Sequence, residues 1–195
     1  MTRRFLFLTA SPRPGSNSSR LAGHAARFLP DGAKAHWLDL NAPPLPAFRD
    51  LRPGNPGVPM GRLGDVFAQV MLASDLVFAA PIYWYGFPAP LHLMLSHLSG
   101  WLDVPELRVM ETLRGKRVFL LTTRADPDPT VPQPAETLLR RSAEWLGMSW
   151  AGALHGVADA PGEIESAAAW GAAETFLRST HPAHRASAEN PAPPS

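Results

Sequence analysis

Two hydrophobic periods alternate along this chain, and their alternation predicts its architecture. Arg4–Thr9 holds the unbroken apolar run Phe5-Leu6-Phe7-Leu8 and reads as a first strand. Over 16–29, Leu21, Ala25 and Phe28 or Leu29 recur at helical spacing until Pro30-Asp31-Gly32 stops them. Residues 35–40 read as a second strand, and 63–73 as a second helix with Leu63, Val66 or Phe67, and Val70 or Met71 turned inward. The run over 75–80 is continuously apolar, as in a strand buried on both faces of a parallel sheet. A third helix is expected over 88–102, with proline at its start, where a missing N–H costs nothing. Residues 116–122 repeat the buried-strand pattern. A helix over 136–146 closed by Gly147, a strand over 149–154 and a helix over 164–177 complete the series.

Five strands alternating with five helices predict a doubly wound α/β fold: a parallel sheet, right-handed crossovers and a ligand at the carboxyl ends of the strands. Residues 1–179 make one domain, crossed by a long proline-rich connection over 41–59. Residues 180–195 lack periodicity and are expected to form a disordered Pro/Ala-rich tail.

Composition removes several classes of function. With 195 residues, 45% of them hydrophobic and 18% charged, the chain is long and apolar enough for a full core. A formal charge of +1 gives no general attraction to nucleic acid, so no nucleic-acid partner is expected. The stretch from Leu76 to Leu95 is uncharged and as long as a membrane span, but Pro81, Gly86, Pro88 and Pro90 interrupt it. Arg3-Arg4 before Phe5 mimics a leader whose apolar run is too short, so no membrane association is expected. The absence of cysteine excludes disulfides, thiolate nucleophiles and iron–sulfur ligation, and it suits a cytoplasmic protein. Seven histidines show no HExxH or carboxylate–histidine spacing, so no metal site is expected. The lack of G-x-S-x-G, P-loop and G-x-G-x-x-G patterns disfavours hydrolases and the usual dinucleotide site.

Three loops carry the candidate chemistry. The first, Ser11-Pro12-Arg13-Pro14-Gly15-Ser16-Asn17-Ser18-Ser19, stands where a strand hands over to a helix, and free amides with the helix dipole favour an anion there. Its hydroxyls and the Arg13 fork suit a phosphate, whereas a polar turn with Ser16 as N-cap accounts for only one of the serines. The second, Pro81-Ile82-Tyr83-Trp84-Tyr85-Gly86-Phe87-Pro88, sets three aromatics between prolines. It reads either as a stacking platform for a planar ring, with free amides between 82 and 86 as donors, or as cover for a core edge or an interface. Beside a phosphate loop the ligand reading is the better one. The third, Thr122-Thr123-Arg124-Ala125-Asp126, offers hydroxyls to the same ring or merely caps a strand.

These residues resemble the NAD(P)H-dependent FMN reductase family, across roughly Arg4 to Arg178. Ser11 to Ser18 is similar to that family's S-x-R-x-x-S-x-S phosphate loop, and Pro81 to Leu91 to its second motif. The resemblance implies a flavodoxin-like three-layer sandwich with a five-stranded parallel sheet in the order 2-1-3-4-5. It implies FMN with its phosphate at Ser11, Arg13, Ser16, Asn17 and Ser18, and its ring against Pro81, Ile82, Tyr83, Trp84, Tyr85 and Gly86; from the third loop, Thr122 and Thr123 are candidates for the same ring and Arg124 for a nicotinamide cofactor's phosphate. It also implies hydride transfer from NADPH or NADH, a flavin, quinone or similar small-molecule electron acceptor, and a homodimer. No obligatory catalytic side chain is expected, because the cofactor carries the chemistry. Two departures stand out. The family's L-K-x-x-x-D-R continuation is here Leu91-His92-Leu93-Met94-Leu95-Ser96-His97, and the third loop, which often carries glycines beside the flavin in that family, here has Arg124 and Asp126 nearby. Two rival readings are a flavodoxin-like electron carrier, which the near-neutral charge disfavours, and a flavin-free interaction module.

Overall fold

The computed structural model describes residues 2–51, 54 and 57–178. The expected disordered tail, His181 and His184 included, lies outside the described residues. Strands β1 (Arg4–Thr9), β2 (Lys34–Asp39), β3 (Asp75–Pro81), β4 (Arg117–Arg124) and β5 (Ser149–Val157) form one parallel sheet in the order β2-β1-β3-β4-β5, as expected. Helices α1 (Asn17–Ala26) and α6 (Ala168–Phe176) cover one face. The other carries α2 (Gly61–Leu72), α3 (Ala89–Leu102), α4 (Val109–Leu113) and α5 (Gln133–Trp145).

Alternation along the strands divides the core. Phe5, Phe7, Val77, Phe119 and Leu121 pack under α1 and α6, while Leu6, Leu8, Leu76, Phe78, Val118 and Leu120 pack under α2, α3 and α5. The central strands are buried on both faces, which is why they read as continuous apolar runs. At the amino edge of the sheet, the Asp75 carboxylate is clamped by Arg3 at 2.9 Å and Arg117 at 2.6 Å. Lys116 donates to the carbonyls of Met71 and Ala73 and so closes the end of α2.

Three local features differ from the sequence reading. A one-turn helix, α4, follows a 3-10 turn at Pro105–Leu107, so the described residues contain six α-helices instead of five. The expected helix over 164–177 is instead a 3-10 turn, Glu163–Ser166, then α6, separated by the extended Ala167. That break drops Ile164 onto β5 at Gly156, where any Cβ would fall 2.3 Å from Ile164 Cδ1. Finally, β5 runs three residues beyond 154, and Ala151 is an extra residue where the β4 pairing jumps from Trp150 to Gly152.

Candidate active site

The loops after β1, β3, β4 and β5 meet at the carboxyl edge of the sheet, around the strand-order reversal between β1 and β3. They enclose an open cleft of about 230 Å³. Ser11, Arg13, Pro14, Gly15, Ser16 and Asn17 line one end, and Pro81, Ile82 and Tyr83 line the middle. Thr123, Arg124 and Ala125 line the far side, with Ala158, Asp159 and Pro161 closing it from behind. A hollow of about 320 Å³ between α3 and α5 is larger, but it lies away from these strand ends and is lined mainly by leucines and Trp145, with Ser99, Arg141 and Ser142.

At the first end, Ser16 is both N-cap and cleft wall. Its Oγ accepts from the Ser19 amide at 3.2 Å and contacts Ser18 Oγ at 3.2 Å and Ser19 Oγ at 2.9 Å. Ser18 is fully buried and supports Ser16 from below instead of lining the cleft. The amides of Asn17 and Ser18, in the first turn of α1, carry no hydrogen bond among the described residues. Gly15 turns the loop at φ +61°, with nothing within 4 Å of where a Cβ would be. Asn17 also reaches across to a second loop. Its Nδ2 donates to Ala160 O and its Oδ1 accepts from the Gly162 amide, both at 2.9 Å. This ties the β5 loop to the phosphate-type loop. Glu163 finishes that loop by accepting from the amides of Asp159 and Ala160, which hold its carboxyl below the ordinary range.

The aromatic loop is a two-residue hairpin. Tyr83 N donates to Gly86 O at 2.9 Å and Gly86 N to Tyr83 O at 3.0 Å, while Ile82 N is taken by Thr123 O. Free amides were expected from 82 to 86, but this pairing leaves only those of Trp84 and Tyr85. Both of these residues have positive φ, +51° and +63°, and Trp84 is 96% exposed. Tyr83 lines the cleft, whereas Trp84, Tyr85 and Gly86 form the projecting tip beside it.

Thr122 and Thr123 point to opposite faces of β4, so only Thr123 reaches the cleft. Thr122 instead hydrogen-bonds His155 Nδ1 at 2.7 Å, and His155 Nε2 donates to Glu136 at 2.9 Å. Arg124 Nε and Nη2 donate to the carbonyls of Asp128 at 3.2 Å and Pro127 at 3.4 Å, folding the β4 loop around its guanidinium. Asp128 accepts from the Thr130 amide and hydroxyl, both at 2.8 Å, and these bonds lower its pKa. Among the described residues no group of three or more His, Cys, Asp or Glu side chains is placed to hold a metal ion, and no helix is long and apolar enough to cross a membrane.

The family model for NADPH-dependent FMN reductase matches residues 3–150. The chain belongs to that family. This reductase is also 24% identical over 160 residues to YwqN of Bacillus subtilis (strain 168), whose description as an NAD(P)H-dependent FMN-containing oxidoreductase is itself provisional; the match covers 80% of this chain and 86% of YwqN. Solved structures with the same fold include a Trp repressor binding protein from Bacillus subtilis (TM-score 0.71, 21% identity, 89% of this chain and 97% of that one). An NAD(P)H:quinone oxidoreductase from Methanothermobacter marburgensis matches with TM-score 0.67, 12% identity, and 95% and 100% coverage. An FMN-dependent NADH-azoreductase from Bacillus anthracis, solved in complex with FMN, matches with TM-score 0.62, 14% identity, and 91% and 98% coverage.

Membership makes the chain an FMN-dependent oxidoreductase with a nicotinamide co-substrate, and its residues fit FMN. A helix terminus with unpaired amides and an exposed arginine suits a phosphate, and the Tyr83 ring on the loop after the neighbouring strand β3 suits a ring. The sequence reading missed Ala158, Asp159 and Pro161, which lie beyond the matched span and line the cleft by position alone.

Proposed function

We propose that this protein takes reducing equivalents from NADPH or NADH and delivers them to a flavin, quinone or similar small acceptor, in the cytoplasm. The observation that carries this reading is the convergence of the Ser11–Asn17 loop and the Tyr83 hairpin on one cleft. In this reading Ser11, Arg13, Ser16 and Asn17 hold the FMN phosphate, with Ser18 bracing Ser16. Pro81, Ile82 and Tyr83 flank the ring, with the Trp84-Tyr85-Gly86 tip at its edge. Thr123 and Arg124 bound it on the far side, and Thr122 anchors β4 through His155. Bound FMN supplies the hydride chemistry, so the chain itself binds, orients and tunes.

One asymmetry favours a reductase over an electron carrier. The hairpin side offers the Tyr83 ring beside Pro81 and Ile82, whereas residues 123–125 opposite offer Thr, Arg and Ala. One face of a ring seated there stays open to a nicotinamide, while a carrier is free to cover both. The formal charge of +1 also lacks the acidity expected of a carrier. The test is anaerobic stopped-flow mixing of FMN-loaded protein with each nicotinamide. Saturable bleaching of the flavin band is expected, and no bleaching within minutes by either would leave the carrier.

A homodimer belongs to the same reading. Leu95, Leu98 and Leu102 of α3 and the 66% exposed Trp145 of α5 leave an apolar groove open. Light scattering should report about twice the 21.1 kDa chain mass.

A further inference from the structure

We propose that Arg124 sets the redox poise of the cleft, as a buried positive charge that favours a reduced flavin carrying one negative charge. This rests on the reading that FMN occupies the cleft.

Arg124 ends β4 and is 8% exposed. Two of its nitrogens reach only backbone carbonyls, and Nη1 is buried without any partner. Among the described residues no carboxylate forms a salt bridge with it, although Asp128 lies near enough to feel its charge. A guanidinium cannot shed its proton in a protein, so the charge is permanent. A buried cation hydrogen-bonded only to carbonyls, with its nearest carboxylate out in solvent, is costly, and such a group calls for a compensating role.

Its place in the sheet says which charge it answers. In the order β2-β1-β3-β4-β5, β4 stands two strands from β1, about 10 Å away at ordinary strand spacing. The phosphate charge belongs to the β1 end, where Arg13 meets it. Arg124 therefore belongs to the ring end, and an oxidised flavin ring brings no charge there. Charge arises only on reduction. A hydride leaves the nicotinamide carbon as two electrons and one proton. The nicotinamide is thereby oxidised, and the ring that receives the hydride bears one negative charge until a second proton follows.

Of the charged and titratable groups around Arg124, the Asp128 carboxylate feels its charge but stands exposed, where solvent screens the attraction. Asp128 is turned to Thr130, and Asp126, on the same loop, accepts from the Asp128 amide. Asp159 lines the rear wall, Tyr83 the hairpin side and Arg13 the opposite end of the cleft. Behind β4, His155 is held between Thr122 and Glu136. The guanidinium acts through the low-dielectric interior, which requires no contact with the ring.

The test measures the midpoint potential of FMN bound to the purified full-length protein by dye equilibration, at about pH 5 to 6.5. Free reduced flavin takes up its second proton over that range. A two-electron, one-proton couple moves by about 30 mV per tenfold change in proton activity, and a two-proton couple by twice that. The parent should follow the shallow slope, Arg124→Lys should keep it, and Arg124→Met should steepen toward the two-proton value. A parent that already follows the two-proton slope overturns the proposal, whether or not the variants fold. So does an Arg124→Met protein with the parental slope. Failure of the protein to take up FMN at all would overturn the functional reading as well, whereas uptake with a steep parental slope overturns this one alone.

Discussion

His97 Nε2 donates to the carbonyl oxygen of Pro46 at 2.9 Å, and this bond fastens the proline-rich segment to the outer face of α3. Phe48 packs edge-on against the same imidazole, ring centroids 5.4 Å apart, and lies over Gly100, where a Cβ would sit 3.5 Å from its ring. His97 stands where the resembling motif has arginine, so a charged position has become a buried strap point. Replacing His97 by Ala removes both contacts and should cost about 2 kcal/mol in urea unfolding. Limited proteolysis should then cut between residues 42 and 51 faster than in the parent. Unchanged cleavage there would show that the strap holds without the histidine.

Arg13 is the exposed cation of the phosphate-type loop. Arg13→Ala removes a charge-assisted contact worth about 1.5–3 kcal/mol, roughly ten- to hundredfold in FMN affinity. Riboflavin, which has no phosphate, should bind the parent weakly and be indifferent to this substitution. Equal affinity of the parent for FMN and riboflavin, measured by quenching of flavin fluorescence, would remove the phosphate from this loop.

Asn17 joins two loops that are 143 residues apart in sequence. Asn17→Ala leaves the Ala160 carbonyl and the Gly162 amide without their partner. It should cost about 1–2 kcal/mol in stability and weaken FMN binding by loosening the rear wall. Amide exchange at Gly162 reports the first effect directly. A binding loss with no change in exchange would assign Asn17 to the ligand alone.

Glu163 supports that wall only while ionised. Its folded pKa lies below the ordinary 4.5, because the charged form accepts from the amides of Asp159 and Ala160. The stabilisation is therefore present above about pH 4.5 and lost as pH falls through the lower folded value. Glu163→Gln should be less stable than the parent at about pH 6, and the difference should shrink as pH falls below the ordinary carboxylate range. A difference that persists unchanged at the acid end would place its cause outside this carboxylate.

Much of the molecule was legible in sequence, for a physical reason. Strands buried on both faces write themselves as apolar runs, and β1, β3 and β4 fall where those runs do. The first two cleft walls were legible because polar hydroxyls and clustered aromatics have no business beside a core. Helix α4 was not legible, since five residues carry too little periodicity to read. The rear wall was hidden for a different reason: Ala158 and Pro161 contribute by location, and the link that places them is a pair of hydrogen bonds from Asn17. Strand alternation separates Thr122 from Thr123, whose side chains leave β4 on opposite faces, and Arg124 reaches the cleft because the strand ends there.

The tip of the aromatic hairpin stores strain, which yields the last prediction. A two-residue hairpin turn with positive φ at both central positions is the geometry that Asn-Gly fills without penalty. Here Trp84 and Tyr85 fill it, each in a region that bulky side chains avoid at a cost of order 1–3 kcal/mol. No core contact offsets this for Trp84, which is almost wholly in solvent, and Tyr85 is more than half exposed. The double substitution Trp84→Asn, Tyr85→Gly should therefore raise stability by about 1–2 kcal/mol while keeping the Tyr83–Gly86 pairing. If the aromatics serve the ring edge, the same protein should bind FMN more weakly, so stability and affinity move in opposite directions. Urea unfolding and flavin titration on one preparation decide the matter. A gain in stability with FMN affinity intact would confine the role of the two side chains to the outer surface, beyond the reach of the flavin.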